Sequence, residues 1–82
     1  MRNITKIVEI NELLRIYGGL LTGRQEDVLR RRYAEDMSLG EIAVADNISR
    51  QGVLNFENKA VRALRGYEKK LGVWAREKNG PF

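Results

Sequence analysis

Helix-start signals constrain this chain more than any other feature. Thr22 is followed three positions later by Gln25, and Ser38 in the same way by Glu41. In each pair the hydroxyl can accept from the third helical N–H while the longer side chain reaches back to the N–H of the cap, so each reads as a capping box. Ser49 supplies a further N-cap. A second helix therefore begins near Gly23, with Val28, Leu29 and Tyr33 facing inward and Arg30, Arg31 and Arg32 wrapping the remainder. Glu26 and Asp27 lie in its first turn, where they complement the helix dipole. Glu35, Asp36 and Met37 form a short exit without strand-like alternation. A third, short helix follows Ser38, with Met37 placed to staple onto Ile42. It ends at Asp46-Asn47, residue types that tolerate the left-handed turn. Ile48 can staple in turn onto Val53 as a long fourth helix starts.

Ahead of these, Ile4, Ile7, Ile10, Leu14 and Tyr17 recur at steps of three and four, marking a first helix that ends at Gly18-Gly19. Leu13 and Ile16 fall off that stripe. Either this helix is covered on more than one side within its own domain, or these two residues form a self-association or partner face. Gly72 ends the long helix. Val73, Trp74 and Phe82 belong to a short tail that folds back on the core or stays mobile, with Lys78 to Pro81 frayed. The expected architecture is an all-α, four-helix domain with a helix-turn-helix and a long C-terminal recognition helix. It forms one domain over residues 1–82, divided as 1–19, 22–36, 38–72 and a 73–82 tail.

Composition narrows the function. The chain has neither Cys nor His, so disulfides, thiol nucleophiles, cysteine-held zinc and the commonest general base are all missing. No enzyme, metal site or cofactor is expected. No apolar run approaches the roughly 20 residues that span a bilayer, and the first residues lack a signal-peptide pattern. The expected location is the cytoplasm, with no membrane partner. The net charge of +4 is unevenly spread, because residues 49–82 carry eight Lys and Arg against three Glu. Such an excess favours a polyanionic partner, since cations that neutralise phosphates release condensed counterions.

Along the fourth helix, Val53, Phe56, Ala60, Leu64, Tyr67 and Leu71 form the expected inward stripe. At 100° per residue, Gln51, Asn55, Asn58, Arg62, Arg65 and Lys69 share the opposite face. Two capped helices joined by a tight turn, the second with a polar outer face, are what a helix-turn-helix requires. Ser49 and the N–H groups beside it are candidates for holding a phosphate. Arg50, Gln51, Asn55 and Asn58 are placed to read bases, as Arg pairs with guanine and Gln or Asn with adenine. Arg62, Arg65 and Lys69 lie further along and suit phosphate contact. The plainer reading of the same cations is a solvated face with local pairs such as Arg65 to Glu68.

Residues Leu21 to Arg65, reading LTGRQEDVLRRRY, SLGEIAVADNISRQGV and ENKAVRALR, resemble region 4 of sigma-70 factors. That family reads promoters with an Arg, a following Glu and a second Arg three residues on; the matching positions here are Arg50, Gln51 and Leu54, so only the first is kept. A wider resemblance, through YGGLLT at 17–22, RRRYAEDMSLGEIA at 30–43, NISRQGV at 47–53 and YEKKLG at 67–72, is to the YlxM family of small bacterial helix-turn-helix proteins. It implies a nucleic-acid-binding accessory or regulatory role in the signal recognition particle pathway. The partners it admits are duplex DNA or signal recognition particle RNA, the particle's GTPase, and a second copy of the chain as a homodimer. Two other readings stand beside it. One is a sequence-specific transcriptional regulator, acting as a dimer because one short helix covers only a half-site. The other is a protein-interaction module with Leu13, Ile16 and Leu54 at its interface.

Overall fold

The computed structural model describes residues 3–80, and these form five helices with no strand among them. Helix α1 spans Ile4–Tyr17, and the side chain of Asn3 caps it by accepting from the N–H of Lys6. One tight turn over Gly18–Leu20 leads to α2, Gly23–Leu29. Helix α3 is Leu39–Asp46, α4 is Arg50–Leu71 and α5 is Val73–Lys78. Both capping boxes form in full, at Thr22 with Gln25 and at Ser38 with Glu41. Asn47 (φ 55°) and Gly72 (φ 63°) take the left-handed conformation that closes α3 and α4.

The segment after α2, Arg30–Ala34, widens into a π-helical turn. A widened turn breaks the regular ladder and re-aims the side chains it carries. Here the side-chain amide of Asn11 on α1 donates to the Tyr33 carbonyl at 2.8 Å. Asp36 then reverses the chain with φ 58°, a conformation that aspartate tolerates better than most residues.

Helix α4 packs against each of the other four helices, and it does so through two separate cores. Its first turns place Val53 with Val28, Ile42 and Ala43, flanked by Met37, Leu39, Ile48 and Phe56. Its second half places Ala60, Val61 and Leu64 with Ile10, Leu13, Tyr17, Leu29 and Tyr33. Adjacent residues of α2, Val28 and Leu29, thus serve different cores. Between the two, on the same stripe of α4, lies Glu57, only 4% exposed. Its carboxylate accepts from Arg32 Nε and from the Tyr33 hydroxyl, both at 2.7 Å. Arg32 also donates to the Met37 carbonyl. A buried charge with two such partners is tolerable, whereas an unpaired one is not.

Several expectations from the sequence are corrected. Leu13 is 1% exposed, and Ile16 packs against the same cluster. Neither is a free partner surface, because the buried stripe of α1 is centred on Ile10, Leu13 and Tyr17 while Ile4 projects into solvent. Leu71, expected inside, is 49% exposed. Leu71 keeps the stripe of α4, at about 20° from Leu64, but it is the last residue of the helix and lies past the core, which Tyr67, Val73 and Trp74 cover there. The expected tail is helical over most of its described length, so a fifth helix joins the four that were anticipated; Phe82 lies outside the described residues.

Helix α5 docks through a cap borrowed from elsewhere. Gly72 has no side chain, so the Glu68 carboxylate accepts from the backbone N–H groups of Trp74 (3.1 Å) and Ala75 (3.0 Å). The Tyr17 hydroxyl donates to that carboxylate at 2.7 Å and accepts from the N–H of Val73 at 3.1 Å. The hydroxyl first, then the two N–H groups, hold the Glu68 pKa below its ordinary value against the opposing effect of burial. Val73 and Trp74 add apolar contact, and Arg15 of α1 pairs with Glu77 at 2.6 Å.

Glu57→Ala should lower stability by about 3 kcal/mol in urea denaturation, because it strands buried donors. Glu57→Gln should cost less, since an amide oxygen still accepts from Tyr33. Tyr17→Phe should loosen α5: the fluorescence of Trp74, the only tryptophan, is expected to shift red, with a melting temperature lower by roughly 5 °C. Unchanged emission would show that the hydroxyl does not hold α5.

Candidate nucleic-acid interface

The helix-turn-helix frame consists of α3, a turn through Asn47-Ile48-Ser49, and the first turns of α4. Ile48 N–H donates to the Ala43 carbonyl at 3.0 Å, and the Ser49 hydroxyl oxygen accepts from the N–H of Gly52 at 2.9 Å. Ser49 is therefore occupied as a cap, with its own O–H proton left to donate outward. The far end of α3 is clamped by charge. Arg31 makes a two-pronged pair with Asp46, at 3.0 and 2.6 Å, and Arg24 approaches the same carboxylate at 3.4 Å. Arg31 and Arg24 hold the Asp46 pKa below its ordinary 3.8, the hydrogen bonds from Arg31 contributing most. Arg24 also lies over the Phe56 ring, 4.7 Å from its centroid, tying α2 to α4 beside the turn.

The outer face of α4 carries the expected residues. Gln51 Nε2 donates to Asn55 Oδ1 at 3.0 Å, which fixes the two amides relative to each other and leaves the Gln51 oxygen and the Asn55 amide protons outward. Arg50, Asn58, Arg62 and Lys69 are exposed, and the three cations among them have no ion pair with any described residue. Arg65 differs. It is bound to Glu9 of α1, through Nη2 at 2.9 Å and Nε at 3.3 Å, and this pairing pushes its pKa up. The local Arg65–Glu68 pair does not form, because the Glu68 carboxylate faces α5.

The three arginines that follow α2 are engaged within the fold. Arg30 meets Glu26, Asp27 and Glu35, Arg31 meets Asp27 and Asp46, and Arg32 meets Glu57. The basic triplet that opens the π-helical segment is thus matched by carboxylates of the fold rather than left as a surface for anions.

Two features escaped sequence reasoning. Lys6 of α1 lies beside Asn58, Arg62 and Arg65, a meeting across more than 50 positions that no local pattern signals. Val44 of α3 is 84% exposed and borders a shallow groove with Gly40, Ala43, Asn47, Ile48 and Arg50. Leu54, read as an outward apolar residue, is half-buried. Among the described residues there is no cluster of His, Cys, Asp and Glu that could hold a metal, and no helix long and apolar enough to cross a membrane.

Comparison with known proteins yields a consistent family. The family model UPF0122, described as "Putative helix-turn-helix protein, YlxM / p13 like", matches residues 4–80. A UPF0122 protein of Limosilactobacillus fermentum is 43% identical over 72 residues, covering 88% of this chain and 64% of the relative. One from Symbiobacterium thermophilum is 48% identical over 63 residues, covering 77% and 59%. One from Fusobacterium nucleatum is 38% identical over 76 residues, covering 93% and 74%. The chain thus spans less than two thirds of the length of several curated relatives that it matches.

The Asp46 clamp gives the frame an acid-sensitive edge. Its carboxyl has a lower pKa folded than unfolded, so its stabilisation is complete above the ordinary value of 3.8 and is lost as pH falls through the lower folded value. The unfolded state binds more protons in that window, so stability should drop on acidification below about pH 4. Asp46→Asn should flatten that part of a melting-temperature profile; an unaltered acid limb would assign the loss to other carboxylates.

Proposed function

The chain belongs to the UPF0122 family of YlxM-like proteins, and from that premise we propose that it works by binding nucleic acid as an accessory or regulatory protein. The observation that carries the reading is the distribution of charge on α4. Arg62 and Lys69 stand unpaired among the described residues, on the same face as the amides Gln51, Asn55 and Asn58, while Arg30, Arg31 and Arg32 are paired with carboxylates of the fold. Free cations beside fixed amide groups suit phosphates and base edges respectively. Docking is then electrostatic through Arg62 and Lys69, with register from Arg50, Gln51, Asn55, Asn58 and the outward proton of Ser49.

The signal recognition particle pathway is the setting that the family resemblance implies, and its RNA is the first target to try. An A-form major groove is too narrow to admit a helix, so contact with structured RNA would run through shape and phosphate. On duplex DNA the same turns of α4 would enter a major groove, and a homodimer would span two half-sites. A second reading, docking on a protein such as the particle's GTPase, is favoured by one observation: the exposed Val44 beside its groove. That binding would survive high salt and fail with Val44→Asp.

Fluorescence anisotropy with labelled signal recognition particle RNA and a mixed-sequence DNA duplex, across a salt series, tests the proposal. Affinity is expected to fall steeply with salt. Arg62→Ala/Lys69→Ala should flatten the logarithmic slope on duplex DNA by about 1.8, since each phosphate contact contributes ~0.9. Preference for the duplex with two half-sites a helical turn apart would favour the transcriptional regulator. Binding to neither probe would sink the proposal.

A further inference from the structure

We infer that the nucleic-acid surface extends beyond the helix-turn-helix into a phosphate-binding cleft between α1 and α4, in which Glu9 competes with the phosphate for Arg65. The inference rests on the nucleic-acid reading above and adds to it a site and a regulating residue. Lys6 of α1 and Asn58, Arg62 and Arg65 of α4 line one groove of about 320 Å³, with Val61 among its lining residues. Lys6 and Arg62 are exposed, and neither has an ion pair with a described residue. Asn58 adds an exposed amide that can donate to a phosphate oxygen. Three cations and an amide donor converging from two helices match a phosphodiester, whose two unbound oxygens accept several charge-assisted hydrogen bonds at once.

Arg65 enters that cleft already engaged. Its Nη2 and Nε donate to Glu9 at 2.9 and 3.3 Å, while the Arg65 side chain as a whole remains 51% exposed. An exposed pair of this kind is weakly held, so an incoming phosphate can take over the guanidinium. That exchange leaves the Glu9 carboxylate beside a second anion, an unfavourable arrangement in the bound state. Glu9 therefore tempers affinity, and its removal should strengthen binding. A purely structural role for the pair would produce no such gain.

The test uses the full chain and two labelled probes, a mixed-sequence DNA duplex and the RNA duplex of the same sequence, titrated across a salt series. Lys6→Ala should weaken binding by about fivefold at low salt and flatten the slope on the DNA duplex by about 0.9, the share of one phosphate contact. Glu9→Gln should tighten binding by a similar factor and steepen the slope by about the same amount. Thr5→Ala, one position from Lys6, should change neither, and thermal melts of every variant establish that each is folded. If wild type binds and either Lys6→Ala or Glu9→Gln behaves like it, the cleft is overturned while the nucleic-acid reading stands. If wild type binds neither duplex nor signal recognition particle RNA, the reading fails and the cleft falls with it.

Discussion

The fold hangs on a carboxylate in an apolar place. Glu57 occupies the stripe of α4 where a hydrophobic residue would ordinarily continue from Val53 to Ala60, and it is held by Arg32 and Tyr33 from the π-helical turn. The consequence is geometric as much as energetic. A greasy contact tolerates sliding and rotation, whereas a carboxylate with two short, directed hydrogen bonds admits one arrangement. Glu57 thereby fixes the rotation and register of α4 against the π-helical turn at the seam between the two cores. The orientation of the outer face, with its amides and free cations, follows from that inner lock, since both are carried on one rigid helix some 33 Å long.

The two cores divide the labour. The smaller, around Val28, Ile42 and Val53, shapes the helix-turn-helix. The larger, around Ile10, Leu13, Leu29 and Leu64, anchors the second half of α4 and receives α5. Charged clamps reinforce each at its rim: Asp46 with Arg31 and Arg24 beside the turn, Glu68 with Tyr17 at the opposite end. The N-terminal turns of α4 are thus presented by a small support that is itself pinned to a bigger one.

How much of this the sequence disclosed follows the range of each interaction. Caps at Thr22, Ser38 and Ser49 and left-handed closures at Asn47 and Gly72 depend on partners within a few residues, so they were legible. Val28, Leu29 and Tyr33 were legible too, being apolar at helical spacing. Glu57 was not, because a glutamate on a helix reads as surface until its partners 24 and 25 positions away are in place. Helix α5 was missed for a related reason: its cap comes from Glu68, and from a tyrosine on another helix, rather than from the residue before it. The phase of α1 was misjudged because Ile4 extended an apparent stripe whose buried centre runs through Leu13. At the candidate interface, the outward face of α4 was apparent from its 100° periodicity, but the neutralisation of Arg65 by Glu9 and the approach of Lys6 depend on how α1 crosses α4.

The engagement of Arg30, Arg31 and Arg32 has an effect on the molecule at a distance. Their charges are matched locally by Glu26, Asp27, Glu35, Asp46 and Glu57, so this segment contributes little to the field that a partner feels from afar. Lys59, Arg62, Lys69 and Lys70 lie along α4 without such matching among the described residues, whereas Glu41 of α3 is answered only by its own cap. The chain therefore carries a lopsided field despite its modest net charge. Near a polyanion such a body experiences a torque as well as an attraction, and it turns α4 forward before any contact is made.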